Sequence, residues 1–401
     1  MDACLLCRAR EVVQLIDFGM QPICNRFPAT PDAEEALFPM RLGQCGACGV
    51  VQAIAPPPAA ELKPRVDWIT YNEPEGHLDR LAVAIAGLPG LTKDSSICGI
   101  TFKDDSLLRR LHDEHGFAHT WRLDFQKDLG IAERGVGVET IQDRLTGAAT
   151  EKIAQAHGKA DVVIARHIWE HTSDPAGFVD ALKNLMTPHG YLVIEIPDCE
   201  RALAGCDYST VWEEHSLYFT DAAFRLGISR CGLSLEYLEC FPYALENSLV
   251  AIARINSGAA PARDSEEILE AEKRRGQGFA GGLAGQREKL ANYFARFQKE
   301  RGRIAILGAG HLACTFVNLL GLKQYIDFVA DDNPHKLGLC MPGSRLPILG
   351  SGALLERGVK LCLLSVNAES EEKVIQKNRP FVEAGGSFQS IFPASKHGLR
   401  V

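Results

Sequence analysis

Four cysteines near the start of the chain have the spacing of a metal site. Cys4 and Cys7 form one Cys-x-x-Cys pair, and Cys45 and Cys48 form a second pair with Gly46 inside it. Each short turn can point two thiolates at one ion, so the two pairs predict a structural Zn²⁺ site with four protein ligands and no open position. The alternatives are a coincidence among 13 cysteines or disulfides, which the odd count and the lack of a secretory leader disfavour.

Polar residues follow predicted strands in the middle of the chain. Asp104 lies after the first predicted strand of this region and Asp124 ends the second. His167 and His171 follow the third. Ligands of an open parallel sheet bind at the carboxyl ends of its strands, so we expect these residues on one rim. Asp124 is suited to accept hydrogen bonds from ribose hydroxyls, although a solvated strand end is an equal alternative for it alone.

A glycine-rich turn begins the last quarter of the chain. Gly308 and Gly310 lie in a G-x-G-x-x-A motif between a predicted strand and a predicted helix, and Asp331 follows about 20 residues later, as in a dinucleotide fingerprint. The helix start and the glycine amides could hold a pyrophosphate. A redox role and a purely structural role are the alternatives, and His311 in this turn could contact a phosphate or solvent.

These residues must be positioned by two α/β units, because short apolar runs alternate with helical stretches. Strands are predicted at residues 96–100, 120–124, 161–165, 191–196, 303–307, 325–330 and 360–365. The predicted fold class is α/β, with a small N-terminal zinc-binding module followed by two Rossmann-like, doubly wound parallel-sheet domains. The predicted boundaries are 1–58 for the module, 59–257 for the central domain, 258–301 for a charged helical connector interrupted by Gly281, Gly282 and Gly285, and 302–401 for the last domain.

Composition describes an ordinary globular enzyme. The 401 residues are 46% hydrophobic and 23% charged, and the formal net charge is −8. An acidic balance argues against nucleic acid as the main partner. No apolar run approaches the roughly 20 residues of a membrane helix. We therefore expect a cytoplasmic enzyme with a small-molecule substrate, as a monomer or a homodimer.

Taken in order, the motifs resemble the S-adenosylmethionine-dependent C-methyltransferases that act on nucleotide-linked keto-deoxysugars. The resemblance covers nearly the whole chain. It rests on the cysteine pairs, Gln21-Pro-Ile-Cys-Asn25-Arg-Phe27, His171-x-x-Asp174, Glu214-His215-x-x-x-Phe219, Gly308-Ala-Gly310 and Asp331-Asp-Asn-Pro334-x-Lys336-x-Gly338. Within this pattern Cys24 stands where alanine is usual, and we interpret it as a small buried residue rather than a fifth zinc ligand.

The resemblance implies a role for each residue. His215 occupies the position of the base that would form an enolate, and Glu214 and His171 would assist it. S-adenosylmethionine would be bound by Gly99, Thr101, Asp104, Asp124 and His167. The nucleotide-linked substrate would contact Tyr71, Trp212, Gly308, Gly310, His311 and Asp331, with the C-terminal domain anchoring its diphosphate end.

The chain departs from this pattern in the cofactor loop. The family sequence is roughly E-I-G-S-N-D-G, whereas this chain reads Gly99-Ile-Thr101-Phe-Lys103-Asp104-Asp105. Residues 68–77 and Trp212, which replaces a tyrosine, depart as well. Two alternatives therefore remain: a non-methylating nucleotide-sugar enzyme, such as an epimerase or dehydratase, and a non-catalytic zinc-containing interaction protein.

Overall fold

The computed structural model describes residues 3–66, 73–132, 136–256 and 265–401. The strands in this part of the chain are β1 (Val12–Pro22), β2 (Leu37–Cys45), β3 (Val51–Ala53), β4 (Ser96–Gly99), β5 (His119–Arg122), β6 (Ala160–Arg166), β7 (Met186–Asp198), β8 (Leu217–Tyr218), β9 (Leu233–Phe241), β10 (Asn247–Ile255), β11 (Ile304–Leu307), β12 (Val329–Ala330), β13 (Ile348–Leu349), β14 (Leu361–Leu364) and β15 (Ser387–Ser390).

The helices alternate with these strands, and short 3₁₀ turns lie at 102–104, 169–171, 208–210 and 323–325. The α-helices are α1 (Ala59–Leu62), α2 (Leu78–Ala86), α3 (Asp105–Asp113), α4 (Val138–Arg144), α5 (Gly147–His157), α6 (Pro175–Asn184), α7 (Glu200–Gly205), α8 (Asp221–Arg230), α9 (Glu266–Glu300), α10 (His311–Leu319), α11 (Ala353–Glu356), α12 (Ala368–Lys377) and α13 (Arg379–Glu383). None of the helices described here is long and apolar enough to cross a membrane.

The N-terminal sheet is antiparallel and has the order β1-β2-β3-β8. Its last strand comes from the central region, because Val51 and Gln52 of β3 pair with Tyr218 and Leu217 of β8. The zinc module therefore shares its sheet with a segment more than 150 residues away in sequence. This pairing holds the turn that precedes β8, which contains His215.

The central sheet has the order β5-β4-β6-β7-β10-β9. Strands β5, β4, β6 and β7 are parallel, and β10 and β9 complete the sheet in antiparallel pairing. The chain passes from β4 to β5 on one side of β4 and then returns to β6 on the other side of β4. The crevice at the carboxyl ends of β4 and β6 is therefore the topological switch point. The predicted α/β class with Rossmann-like parallel sheets is confirmed.

The C-terminal sheet is parallel throughout its described strands, in the order β13-β12-β11-β14-β15. Gly308 directly follows β11 and has φ +107°, and a Cβ there would lie 2.9 Å from Val366 Cγ1. Both the backbone angle and the close contact therefore require glycine at this turn.

The predicted interruption of the connector helix is wrong, since α9 runs unbroken from Glu266 to Glu300. Two of its glycines, Gly276 and Gly282, serve close packing, whereas Gly281 and Gly285 have open space around them. A Cβ on Gly282 would lie 2.5 Å from Cys206 Sγ, and one on Gly276 would lie 2.6 Å from the Gln44 side-chain amide. The helix thus contacts the N-terminal sheet and the central region, and this packing compensates for the helix propensity that glycine lacks.

Candidate functional site

The four N-terminal cysteines converge on one point. Cys4 Sγ lies 3.6 Å from Cys48 Sγ, and Cys7 Sγ lies 3.6 Å from Cys45 Sγ. All four sulfur atoms lie within 4.8 Å of one another, and none of the four is in a disulfide. Zn–S bonds of about 2.3 Å in a tetrahedron place sulfur atoms about 3.8 Å apart, so the cluster fits Zn²⁺. Four protein ligands make this a structural site, as the spacing predicts.

The structure brings His171 and His215 together at the rim of the central sheet. Their ring centroids lie 4.7 Å apart in an edge-to-face arrangement, and both side chains are buried. The Nδ1 atoms of both rings lack a hydrogen-bond partner among the described residues. The amide of Ser216 donates to the carbonyl of Glu170 at 2.8 Å, which ties the His215 turn to the His171 turn.

Carboxyl groups surround the histidine pair. His171 Nδ1 lies 3.3 Å from Glu139 Oε1, and His171 Nε2 lies 3.8 Å from Glu170 Oε1. Glu214 accepts a hydrogen bond from Asn25 Nδ2 at 3.4 Å. Glu170, His171 and His215 could together hold a cation, as could Glu139, His171 and Glu214. Sequence reasoning missed Glu139 and Glu170 because neither belongs to a motif with its own chemistry.

Burial determines the protonation of these groups. Burial lowers the pKa of His215 well below its usual range, and the neighbouring His171, His311 and Lys103 lower it further. Burial raises the pKa of Glu214 well above its usual range, and Glu139 and Glu213 add to that effect. The site therefore favours a neutral imidazole beside a protonated carboxylic acid.

Asp104 and Thr101, two of the predicted cofactor residues, organise the loop after β4. The buried Asp104 carboxylate accepts from the amides of Ile100 and Thr101 at 2.8 and 2.7 Å, and from the Arg166 amide at 3.1 Å. Thr101 Oγ1 accepts from the Lys103 amide. Burial raises the pKa of Asp104 to about 7, against the opposing effect of these hydrogen bonds. The amides of Ile100, Thr101 and Lys103 are thus used inside the loop.

Gly99 is enclosed by packing rather than open to a ligand. A Cβ at this position would lie 2.8 Å from Leu108 Cδ1 and 2.9 Å from Asp104 Cβ. Loop 99–105 lies wholly within the described residues, and none of its residues has a positive φ. The family's acidic residue would not fit at position 99 in this packing, and the loop has a conformation that needs no glycine at 101 or 105.

An ionic network of buried and half-buried side chains lies in the crevice beside this loop. Lys103 Nζ pairs with the Glu73 carboxylate, and Arg166 Nε pairs with Glu195 Oε2 at 2.5 Å. His167, which has φ +49°, lies with Nε2 2.9 Å from the other oxygen of Glu195. Burial alone would lower the pKa of His167, but the carboxylates of Glu73 and Glu195 outweigh it and raise the pKa. Glu195 could have been noticed in the sequence, because it interrupts the apolar run at 191–196.

Asp124 remains accessible beyond the end of β5. Its side chain is 46% exposed, and Oδ1 accepts from the amides of Gln126 and Lys127 at 3.0 and 2.9 Å. The hydrogen bond from the Lys127 amide is the main reason why the pKa of Asp124 is lowered. The carboxylate is therefore ionised and retains acceptor capacity for a ligand.

The residues predicted to bind the substrate differ in what their side chains contact. Asp331 Oδ2 accepts from the Ala309 amide at 2.8 Å, so this carboxylate braces the glycine turn. Gly310 has open space around its Cα. His311 points inward, and its ring stacks on Trp212 with centroids 3.6 Å apart, while Trp212 stacks on His215 at 5.7 Å. Tyr71 lies outside the described residues.

Three family models match consecutive parts of the chain. They are described as "Putative zinc binding domain" over residues 4–62, "Methyltransferase domain" over residues 99–236 and "C-methyltransferase C-terminal domain" over residues 250–393.

Similar proteins include the "C-methyltransferase NovU" of Streptomyces niveus, which is 24% identical over 97% of this chain and 94% of its own length. A "Ubiquinone biosynthesis O-methyltransferase" of Psychrobacter cryohalolentis is 31% identical over 33% of this chain and 52% of its own length. A solved S-adenosylmethionine-dependent methyltransferase from Aquifex aeolicus matches 45% of this chain and 93% of its own, with 15% identity and a TM-score of 0.28.

The packing around Gly99 gives a stability prediction. Gly99→Ala should lower the free energy of unfolding by about 1–3 kcal/mol, because the added methyl group overlaps Leu108 and Asp104. In a double-mutant cycle measured by chemical denaturation, Gly99→Ala should lower the free energy of unfolding less in a Leu108→Ala background than in the wild type. Gly281→Ala is the matched control; it lies in α9 with open space around it and should be neutral or stabilising. A neutral Gly99→Ala variant would contradict this account of the loop.

Proposed function

We propose that this chain is a C-methyltransferase with an N-terminal zinc-binding domain, and that it methylates a carbon next to the ketone of a nucleotide-linked sugar. The observation that carries the proposal is the buried pair of His171 and His215, whose ring centroids lie 4.7 Å apart and whose Nδ1 atoms make no hydrogen bond within the described residues. A site with two such histidines supports acid–base chemistry on carbon and counts against a non-catalytic scaffold.

A carbon next to a ketone becomes nucleophilic only after it loses a proton. His215 would accept that proton, because burial keeps its imidazole neutral. Glu214 favours its protonated form and can donate a hydrogen bond to the developing enolate oxygen. His171, positioned by Glu139 at 3.3 Å, would be a second donor to the same oxygen. The chain's own residues thus supply both a base and an oxyanion site.

S-adenosylmethionine supplies an electrophilic methyl group on a sulfonium when it is bound. Its amino-acid head is a zwitterion, and the crevice contains a complementary pair in Lys103 and Glu73. We propose that Lys103 pairs with the carboxylate of the head and Glu73 with its ammonium group. These side chains would replace the loop amides, three of which are already used by Asp104 and Thr101.

The other predicted cofactor residues fit around this arrangement. Asp124, with acceptor capacity at the strand end, would bind the ribose hydroxyls. His167 would line the crevice beside Glu73, and Gly99, Thr101 and Asp104 would hold the loop in shape.

The nucleotide end of the substrate would bind in the C-terminal domain. The open backbone at Gly310 and the start of the nine-residue helix α10 suit a diphosphate. Gly308 and Asp331 would shape this turn. Trp212 and Tyr71 would contact the sugar, and His311 would act through its stacking on Trp212.

The base assignment is tested by proton exchange as well as by methylation. With a nucleoside-diphosphate-linked 4-keto-6-deoxyhexose as the probe, His215→Gln should reduce deuterium incorporation next to the ketone, and methyl transfer, by about 10²–10⁴-fold. Mass spectrometry measures both, and calorimetry should find S-adenosylhomocysteine binding retained. His189→Gln is the matched control at an exposed position. Full exchange by the His215→Gln variant would exclude His215 as the base.

The depressed pKa of His215 gives a pH prediction. Its neutral, basic form should persist below the usual histidine pKa of about 6.5, so the acidic limb of the kcat/KM profile should lie below that value. A base with an ordinary pKa would lose about three quarters of its activity by pH 6. A midpoint at or above pH 6.5 for an otherwise folded enzyme would contradict the buried-base assignment.

The proposed cofactor contacts are tested by binding alone. Lys103→Met should weaken the binding of S-adenosylhomocysteine about tenfold or more in calorimetry, because a charge-assisted contact to the carboxylate of the ligand is lost. The affinity for 5′-methylthioadenosine, which lacks the amino-acid head, should be unchanged. Lys152→Met is the exposed control. Equal loss for both ligands would reject the Lys103 contact, whereas a wild-type chain that binds neither would favour the non-methylating alternative.

A further inference from the structure

A second cluster of metal-ligating residues lies where the three parts of the chain meet. Cys24 follows β1, Glu213 lies in the turn before β8, and His311 is the first residue of α10. Their ligand atoms lie within 4.8 Å of one another. All three residues are at least nine-tenths buried, with exposed fractions of 5%, 5% and 4%. The cluster is separate from the four-cysteine site and from the His171–His215 pair.

The hydrogen bond of His311 to the Val211 carbonyl leaves the other ring nitrogen, Nδ1, close to a carboxylate. Its Nε2 lies 3.3 Å from the carbonyl oxygen of Val211, so Nε2 carries the proton and Nδ1 is an acceptor. Nδ1 lies 3.5 Å from Glu213 Oε2, without the geometry of a hydrogen bond. Two buried acceptors that face each other in this way are stabilised by a shared cation.

Other groups lie around the gap between His311 Nδ1 and Glu213 Oε2 and could act as further metal ligands. Glu213 Oε1 accepts from the Cys24 amide at 2.6 Å, which leaves Oε2 for the gap. Stacking on Trp212 fixes the plane of the His311 ring. A small cavity lined by Cys24, Glu213 and Cys314 adjoins the cluster and offers room for a fourth ligand.

We propose that Cys24, Glu213 and His311 form a second zinc site, with water as the fourth ligand. A thiolate, a carboxylate and a neutral imidazole suit this borderline-soft ion, and their combined charge of −2 balances Zn²⁺ in a buried setting. Ligand atoms around zinc lie about 3.3–3.8 Å apart, so small rotations of the three side chains close the set. The ion would fix Glu213, and through it the adjacent Glu214 and His215, against the C-terminal domain.

Metal analysis of the full chain tests this site without any knowledge of the substrate. After zinc loading and exhaustive dialysis, the wild-type chain should retain two zinc ions per chain. Cys24→Ala should retain one, and Cys45→Ser should lose the other. Cys362→Ala, which removes a buried thiol from β14, is the matched control and should retain two.

The wild-type measurement stands even where a variant fails to fold. One zinc ion per chain in the wild type would overturn the proposal and leave a His311–Glu213 ion pair as the explanation of the contact. Retention of two ions by both Cys24→Ala and Glu213→Gln would also overturn it. Cobalt loading gives an independent readout, because the sulfur-to-cobalt absorption of the second site should disappear in Cys24→Ala while that of the four-cysteine site remains.

Discussion

The pairing of β3 with β8 is the interaction on which the rest of the site depends. Strand β8 is only two residues long, yet its backbone bonds attach the preceding turn to the zinc-stabilised N-terminal sheet. The Ala53 amide adds a bond of 3.0 Å to the carbonyl of Ser216. The same turn is bound to Glu170 of the central domain and stacked on His311 of the C-terminal domain. A short segment held from three sides can keep His215 in place without a long strand or helix of its own.

This arrangement explains how a zinc ion with no open coordination position can affect the geometry of the candidate site. The four cysteines hold the ends of β2 and of the loop before β1, and Cys4, Cys45 and Cys48 belong to the same apolar cluster as Trp169, two residues before His171. Loss of that order would loosen both turns that carry His171 and His215. The metal thus acts by restricting conformations rather than by activating a ligand.

The features of this chain that can be predicted are those that depend on short spacings between residues in the sequence. The Cys-x-x-Cys pairs and the strand–helix alternation identify the zinc module and the Rossmann-like sheets, because both depend on local periodicity. The continuity of α9 was not predictable, since glycine breaks helices in isolation and the close approach of Gly276 and Gly282 to distant residues is a tertiary effect. The contacts of Glu213 with Cys24 and His311 join residues 189 and 98 positions apart, and no local signal marks them.

The proposed contacts of Lys103 and Glu73 with the cofactor would make the altered loop after β4 a replacement of the usual binding loop rather than a loss of it. A loop with no charged ligand would gain little from such charges, because a half-buried ion pair such as Lys103–Glu73, with side chains 11% and 28% exposed, offers little net stability. The crevice nevertheless contains that pair, and Arg166 and Glu195 form another beside it. Arg166 and His167 outweigh the effect of burial and hold the pKa of Glu195 well below its usual range, so the crevice keeps an ionised carboxylate. Buried charges that contribute little to folding are most readily explained by a charged ligand, and the proposed zwitterionic cofactor has the complementary groups.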